Sequence, residues 1–262
     1  MTNPHGTPIW YELLSDDADA SRDFYQAVIG WTVHPAEPGG MDYRMIDAGN
    51  GDFAGGLMNL TAEMKAGGAK PTWLFYLGVD DVDAAVAKVQ EGGGTVQMPA
   101  IDMPGVGRMA MVADPQGNPF YVMRGASDEA SRAWERMGMG KCNWNELVTT
   151  DQAAGNAFYA DVFGWTYPDK MTMPGDMGDY VFVAAAGETI GATMPTQADG
   201  VQRGWTFYFR APEIEAAAAQ VKAGGGEVLQ GPMQVPGGDM VILARDPHGV
   251  TFGVAAPGTG AQ

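Results

Sequence analysis

The chain has 262 residues, 45% hydrophobic and 18% charged, with 38 glycines and 17 prolines. That is the composition of a turn-rich globular protein with apolar side chains for one or two cores, and it excludes a disordered chain. A formal charge of −17 repels nucleic acid and anionic membranes, the single Cys142 excludes a disulfide framework or a cysteine zinc site, and no apolar run approaches the roughly 20 residues of a membrane span.

In chain order, the N-terminal stretch shows no basic start and no long apolar run, so no signal peptide is expected and the cytoplasm is the expected location. Residues 8–14 read as a strand, and Asp17 is placed to cap a helix that carries the FYQAVIGW run. Short strands follow at 43–48 and 53–59. Residues 72–79 read as a further strand, ahead of Asp81 and a helix with Val82, Ala85, Val86 and Val89 on one face. Gly92-Gly93-Gly94 stops that helix, and strands follow at 108–113 and 120–123. The glycine run does not follow a strand and open a helix, so it is not a phosphate loop. Each half thus reads as strand, helix, then three strands.

The whole pattern then repeats. The segment Trp10–Asp17 recurs as Trp144–Asp151, 134 positions on. Phe24-Tyr25 matches Phe158-Tyr159, and Gly30-Trp31-Thr32 matches Gly164-Trp165-Thr166. Trp73 and Tyr76 match Trp205 and Tyr208, the glycine run recurs at Gly224-Gly225-Gly226, and Pro104-Gly105 recurs as Pro236-Gly237. Asp114-Pro115-x-Gly117 matches Asp246-Pro247-x-Gly249, and Phe120 matches Phe252. This collinearity marks a tandem duplication: module 1 over residues 1–125, a linker over 126–140, and module 2 over 141–262. The DPxG segments read as turn signals without chemistry of their own. Trp31 and Trp165, beside glycine, read as core. Arg44 and Arg108 read as solvated, with pairing to a glutamate or a ligand anion as the alternative. Met171, Met173 and Met177 sit in a Pro/Gly-rich stretch that reads as ordinary packing or as a lid.

The FY…GW block, the helix starts at Asp and the closing DPxG turn resemble the vicinal oxygen chelate superfamily, which contains glyoxalase I, bleomycin-resistance proteins and extradiol dioxygenases. The resemblance covers nearly the whole chain. With the paired W-x-E motifs it is similar in particular to two-module glyoxalase-like proteins of actinobacteria, including a mycobacterial culture-filtrate antigen. It implies an α+β fold of tandem modules, each built from two βαβββ units whose curved sheet forms a cup. Function does not follow from that fold, which carries lyases, isomerases, dioxygenases and plain binders.

The resemblance also implies where a divalent ion would be held, by His, Gln or Glu on the first, fifth and last strands of a module. Seven residues before the capping Asp, those positions hold Trp10 and Leu74 in module 1 and Trp144 and Thr206 in module 2. After the DPxG turn they hold Tyr121 and Gly253. None is a usual ligand of a divalent ion. His5, His34 and His248 lie in the N-terminal tail, after the first helix and in a DPxG turn. No metal and no cofactor is therefore expected, with Ni, Zn, Fe or Mn as the alternative.

Strand residues two apart share a face. Trp10 then shares its face with Glu12, Trp144 with Glu146, Leu74 with Tyr76, Thr206 with Tyr208 and Tyr121 with Met123. The expectation is a small-molecule site lined by Trp10, Tyr76, Tyr121, Met123, Trp144 and Tyr208, able to enclose a flat apolar or aromatic molecule. Glu12 and Glu146 are the candidate catalytic groups, as bases or as grips for a ligand amine; a buried acid serving the fold is the other reading. The alternative function is a glyoxalase-like lyase, isomerase or hydroxylase/dioxygenase that uses Glu12 or Glu146 as base or metal ligand. The expected partner is a small molecule, not nucleic acid and not a membrane. The sequence leaves the oligomeric state open.

Overall fold

A computed structural model describes residues 3–49, 51–197 and 203–258. Module 1 runs β1 (Pro8–Ser15), α1 (Ala18–Ile29), β2 (Thr32–Val33), β3 (Tyr43–Asp47), β4 (Phe53–Asn59), α2 (Ala62–Ala66), β5 (Thr72–Gly78), α3 (Val82–Glu91), β6 (Thr95–Met103), β7 (Gly107–Ala113) and β8 (Pro119–Gly125). Module 2 runs β9 (Cys142–Thr149), α4 (Gln152–Phe163), β10 (Lys170–Thr172), β11 (Asp179–Ala185), β12 (Glu188–Pro195), β13 (Gly204–Arg210), α5 (Ile214–Ala223), β14 (Glu227–Gln234), β15 (Met240–Arg245) and β16 (Thr251–Ala256). The strand–helix–three-strand unit therefore occurs four times. The short helix α2 has no sequence signal strong enough to announce it.

The caps form where the Asp residues stand. Asp17 accepts from the Ala20 amide, Asp81 from Ala84 and Asp151 from Ala154. Glu213 fills the same place before α5. Each carboxylate satisfies an otherwise unpaired helix amide and faces the positive end of the helix dipole.

The strand orders are β2-β3-β4-β1-β5-β8-β7-β6 and β10-β11-β12-β9-β13-β16-β15-β14, one curved eight-stranded sheet per module. The compact units of the chain interleave the modules. One contains residues 1–9, 74–131 and 144–205; the other contains 10–73, 132–143 and 206–262. Each unit thus combines one half of each module.

The repeated motifs meet inside these units. In the unit built on β1–β4, Tyr25 lies among Trp31, Trp73 and Phe252, with ring centroids 5.0–5.7 Å away. A Cβ at Gly224 would come within 2.7 Å of the Phe24 ring, so the glycine run clears space for the FY motif. In the other unit a Cβ at Gly92 would come within 2.9 Å of Phe158. Trp31 and Trp165 are core, as expected, at 4% and 2% exposure.

The DPxG segments do more than turn the chain. Asp114 Oδ1 accepts from the Gln116 and Asn118 amides, and its Oδ2 takes the Tyr159 hydroxyl at 3.1 Å. Trp205 Nε1 donates to the same Tyr159 oxygen at 3.1 Å. In the other unit Asp246 Oδ1 accepts from His248 and Val250, Oδ2 takes the Tyr25 hydroxyl at 3.1 Å, and Trp73 Nε1 donates to Tyr25 at 3.0 Å. A buried Trp–Tyr–Asp chain thus stands in each unit. The reading of these Asp residues as turn formers alone is corrected: a turn aspartate uses one oxygen for the turn, and its second is left to anchor a buried phenol.

Arg44 pairs with Asp42 and Asp19, and Arg108 with Asp83 and Asp102. Both guanidiniums are engaged by aspartates rather than glutamates. Met171, within β10, and Met177, in the loop that follows it, are exposed.

Candidate functional site

The site is a property of alternation along the strands. On β1 the Tyr11 side chain is fully buried, with its ring edge-on to Phe207 at 5.3 Å and to Phe209 at 6.0 Å. Trp10 and Glu12 therefore project from the opposite face. On that face Glu12 stands beside Gly56 of β4, Gly56 beside Met45 of β3, and Tyr43 beside Met58. Trp10 Nε1 donates to the Tyr43 hydroxyl at 2.7 Å. Gly56 lies beneath the Tyr43 ring, where a Cβ would overlap it.

The other unit carries the counterpart. Trp144 Nε1 donates to the Tyr180 hydroxyl at 2.7 Å, and that hydroxyl donates to Glu146 Oε2 at 2.7 Å. An indole N–H is only a donor, so the phenol's single hydrogen is directed to the carboxylate. Phe182 meets the Trp144 ring edge-on at 6.0 Å. The two carboxylates differ in access: Glu12 is 3% exposed, whereas Glu146 is half-buried, as are Trp144 and Tyr180.

The last-strand positions also differ. Tyr76 and Tyr121 face each other across β5 and β8 and stack at 4.2 Å with an 11° tilt. Both are buried, and Met123, two residues on, is half-buried. In module 2 the same register pairs Tyr208 with Gly253. Tyr208 lies flat over Gly253, where a Cβ would overlap the ring. Thr206 is buried on the same strand.

Two participants were not singled out from the sequence: Tyr43 and Tyr180, the phenols that receive the indole hydrogens. Their signal was present as the pair Asp42-Tyr43 and its recurrence Asp179-Tyr180. A dipeptide in a weakly patterned strand does not stand out until its neighbours in the sheet are known. The histidines stay apart from these clusters. His5 bonds the Val162 carbonyl, His34 lies 3.7 Å from Asp47, and the His248 amide caps Asp246.

Comparison with known proteins identifies the family and the fold. A family model described as "Glyoxalase/Bleomycin resistance protein/Dioxygenase superfamily" matches residues 8–122 and again 141–254. The chain belongs to the glyoxalase/bleomycin resistance/dioxygenase superfamily. It is 33% identical to "Putative glyoxylase CFP32" of Mycobacterium tuberculosis over 96% of this chain and 95% of that protein. It is 30% identical to "Anthracycline biosynthesis protein DauV" of Streptomyces sp. (strain C5) over 95% and 92%. Among solved structures, the Mn(II)-bound glyoxalase from Novosphingobium aromaticivorans superposes with a TM-score of 0.66 at 19% identity, covering 96% of this chain and 82% of that one. The 2,3-dioxygenase LapB from Pseudomonas sp. KL28 gives 0.65 at 15%, covering 99% and 95%. At those identities the solved structures speak for the fold alone.

Superfamily membership implies a divalent ion in the enzymes, and the residues here do not fit one. The expected positions present two indoles, an aliphatic side chain, a phenol, a hydroxyl and a bare glycine. Among the described residues no group of three or more His, Cys, Asp or Glu is placed to hold a metal ion. A divalent ion needs several fixed N or O donors, and each W-x-E face offers one carboxylate.

The Gly253 environment yields a direct test. Gly253→Ala should lower stability by about 1–3 kcal/mol, the usual cost of overpacking, because the methyl group displaces the Tyr208 ring. Chemical denaturation checks this. Adding Tyr208→Ala should shrink the penalty of Gly253→Ala; an unchanged penalty would mean that the ring is not what the methyl group meets.

Proposed function

We propose that this chain binds a flat, apolar or aromatic small molecule without a metal ion, on the sheet faces that carry the W-x-E motifs. The observation that supports it best is the half-buried set Trp144, Tyr180 and Glu146: two aromatic side chains and one acid joined by hydrogen bonds, with Trp144 at a position where metal-dependent relatives need a ligand. Aromatic walls with a few fixed polar groups suit a planar ligand. Two relatives are named as anthracycline biosynthesis proteins, which makes a polycyclic aromatic the first ligand class to try. Trp10, Tyr76, Tyr121, Met123 and Tyr208 belong to the same proposal as further ligand contacts. The charge of −17 argues against nucleic acid as partner. No helix among the described residues is long and apolar enough to cross a membrane, and cytoplasmic residence is part of this reading.

The test is titration with a panel of polycyclic aromatics that includes an anthracycline, read by tryptophan fluorescence and melting temperature. A ligand at 100 times its Kd adds about 2.7 kcal/mol to folding stability. Trp144→Ala should weaken that binding at least tenfold. Failure of every planar compound to bind, or one divalent metal per module that is lost on Glu146→Gln, would overturn the proposal.

A second reading keeps the enzyme open: a lyase, isomerase or hydroxylase/dioxygenase with Glu146 as base. It draws on the half-buried Glu146, oriented by Tyr180 and reachable from solvent. Turnover of a bound compound that is lost in Glu146→Gln while binding persists would favour it.

A further inference from the structure

The two modules differ at the outer edge of the sheet. In module 1, β2 pairs with Asp47 and Ile46, at the far end of β3 from Tyr43. Module 2 keeps that contact as a bridge between Thr166 and Ala184. It then adds β10, which runs along the other end of β11 and sets Met171 directly opposite Tyr180. Opposed residues of an antiparallel pair share a face, and the face of Tyr180 is the one that carries Trp144 and Glu146. On the inner side of Tyr180, the register that pairs Val181 with Thr193 brings Met194 of β12 alongside it. Met171, Tyr180 and Met194 thus stand abreast on three neighbouring strands. Two strand spacings make this strip roughly 10 Å wide. Met171 is 40% exposed and Met194 is half-buried, so the strip borders solvent. A thioether is polarizable, adapts its shape and makes favourable contacts with aromatic rings.

Resting on the binding function proposed above, we infer that Met171 is a specificity-determining residue of the module 2 site: its thioether holds the outer rings of a fused polycyclic ligand whose inner rings lie on Tyr180 and Trp144. The added strand makes module 2 select its ligand by the extent of the ring system. Beside Tyr43 of module 1, β2 builds no such wall, because it pairs with the other end of β3.

The experiment compares 1-hydroxypyrene, of four fused rings, with 1-naphthol, of two, each titrated by its own fluorescence. The larger probe should bind the parent protein more tightly. Met171→Ala should narrow the ratio of the two affinities at least threefold, by weakening 1-hydroxypyrene and sparing 1-naphthol. Met41→Ala, at a more exposed methionine of module 1, should leave the ratio as it is, and melting curves establish that each variant is folded. Contact is read separately, from the NMR signal of the Met171 methyl group, assigned by its loss in Met171→Leu. Ring current from bound 1-hydroxypyrene should shift that signal. A signal that stays in place, or a ratio that changes less than threefold in Met171→Ala, overturns this inference while the binding function stands. The inference also falls alone if neither probe binds but another planar compound of the panel does. If the whole panel fails, both fall.

Discussion

Lys141→Met should melt about 6–12 °C below the parent chain at pH 7. The Lys141 side chain is fully buried, and its ammonium lies 2.8 Å from Asp52 and 2.7 Å from Glu135. Arg132 reaches the same two carboxylates at 3.2 and 3.4 Å. Methionine keeps the apolar stem and removes the charge. It leaves Asp52 and Glu135 facing each other without the ammonium between them, with Arg132 farther away. Breaking a buried ion pair from one side costs roughly 3–5 kcal/mol; the low end applies, because both carboxylates keep contact with solvent. About 3 kcal/mol corresponds to the stated shift at roughly 2–4 °C per kcal/mol.

The same site makes a pH prediction. Hydrogen bonds from Lys141 hold the Asp52 and Glu135 carboxyls below their usual range. A depressed carboxyl pKa stabilises the fold above the unfolded value of about 4, and that contribution is lost as the pH falls through the folded values. The gap between parent and Lys141→Met should therefore be widest at neutral pH and narrow below about pH 4. A gap that widens in acid, or a variant that melts with the parent, would show that the ammonium does not hold this part of the fold.

Tyr25→Phe should cost about 2–4 kcal/mol, measured by chemical denaturation. The hydroxyl both receives the Trp73 indole hydrogen and donates to Asp246. Its removal strands a buried donor and a buried acceptor, each worth roughly 1–3 kcal/mol when unsatisfied, with part recovered by relaxation. Burial raises the Asp246 carboxyl above its ordinary value, and the Tyr25 hydrogen bond opposes that rise. Burial, then the Asp246 charge, raises Tyr25 well above the ordinary phenol value, so it stays a donor throughout the neutral range. A raised carboxyl pKa costs stability as the pH climbs through it, and Tyr25→Phe raises Asp246 further. The deficit at pH 7 should exceed the deficit near pH 4. Tyr159→Phe removes the acceptor of the Trp205 indole and one of two donors to Asp114 Oδ2; it should cost less, because the Asn118 side-chain amide still donates to that oxygen at 2.7 Å. A loss below 0.5 kcal/mol in both variants would mean that the hydroxyls are dispensable to the core.

The duplication, the family and the faces of the strands were legible in the amino-acid order alone. Helix starts were legible because an Asp before an apolar run has a local partner, the amide three residues on, so the signal is complete within one turn. Strand faces were legible because alternation is local: with Tyr11 on one face of β1, Trp10 and Glu12 share the other, and the register of β1 against β4 follows that order. Tertiary structure decided what meets what. Nothing near Tyr25 in sequence points to Asp246, and nothing near the first glycine run points to Phe158, because these contacts join segments of different modules. The division into units that interleave the modules is equally invisible to a collinear repeat, which reports ancestry and not packing. The difference between Glu12 and Glu146 came from the structure too. Both stand in identical W-x-E settings, and only the side chains packed around them leave one buried and the other in reach of solvent.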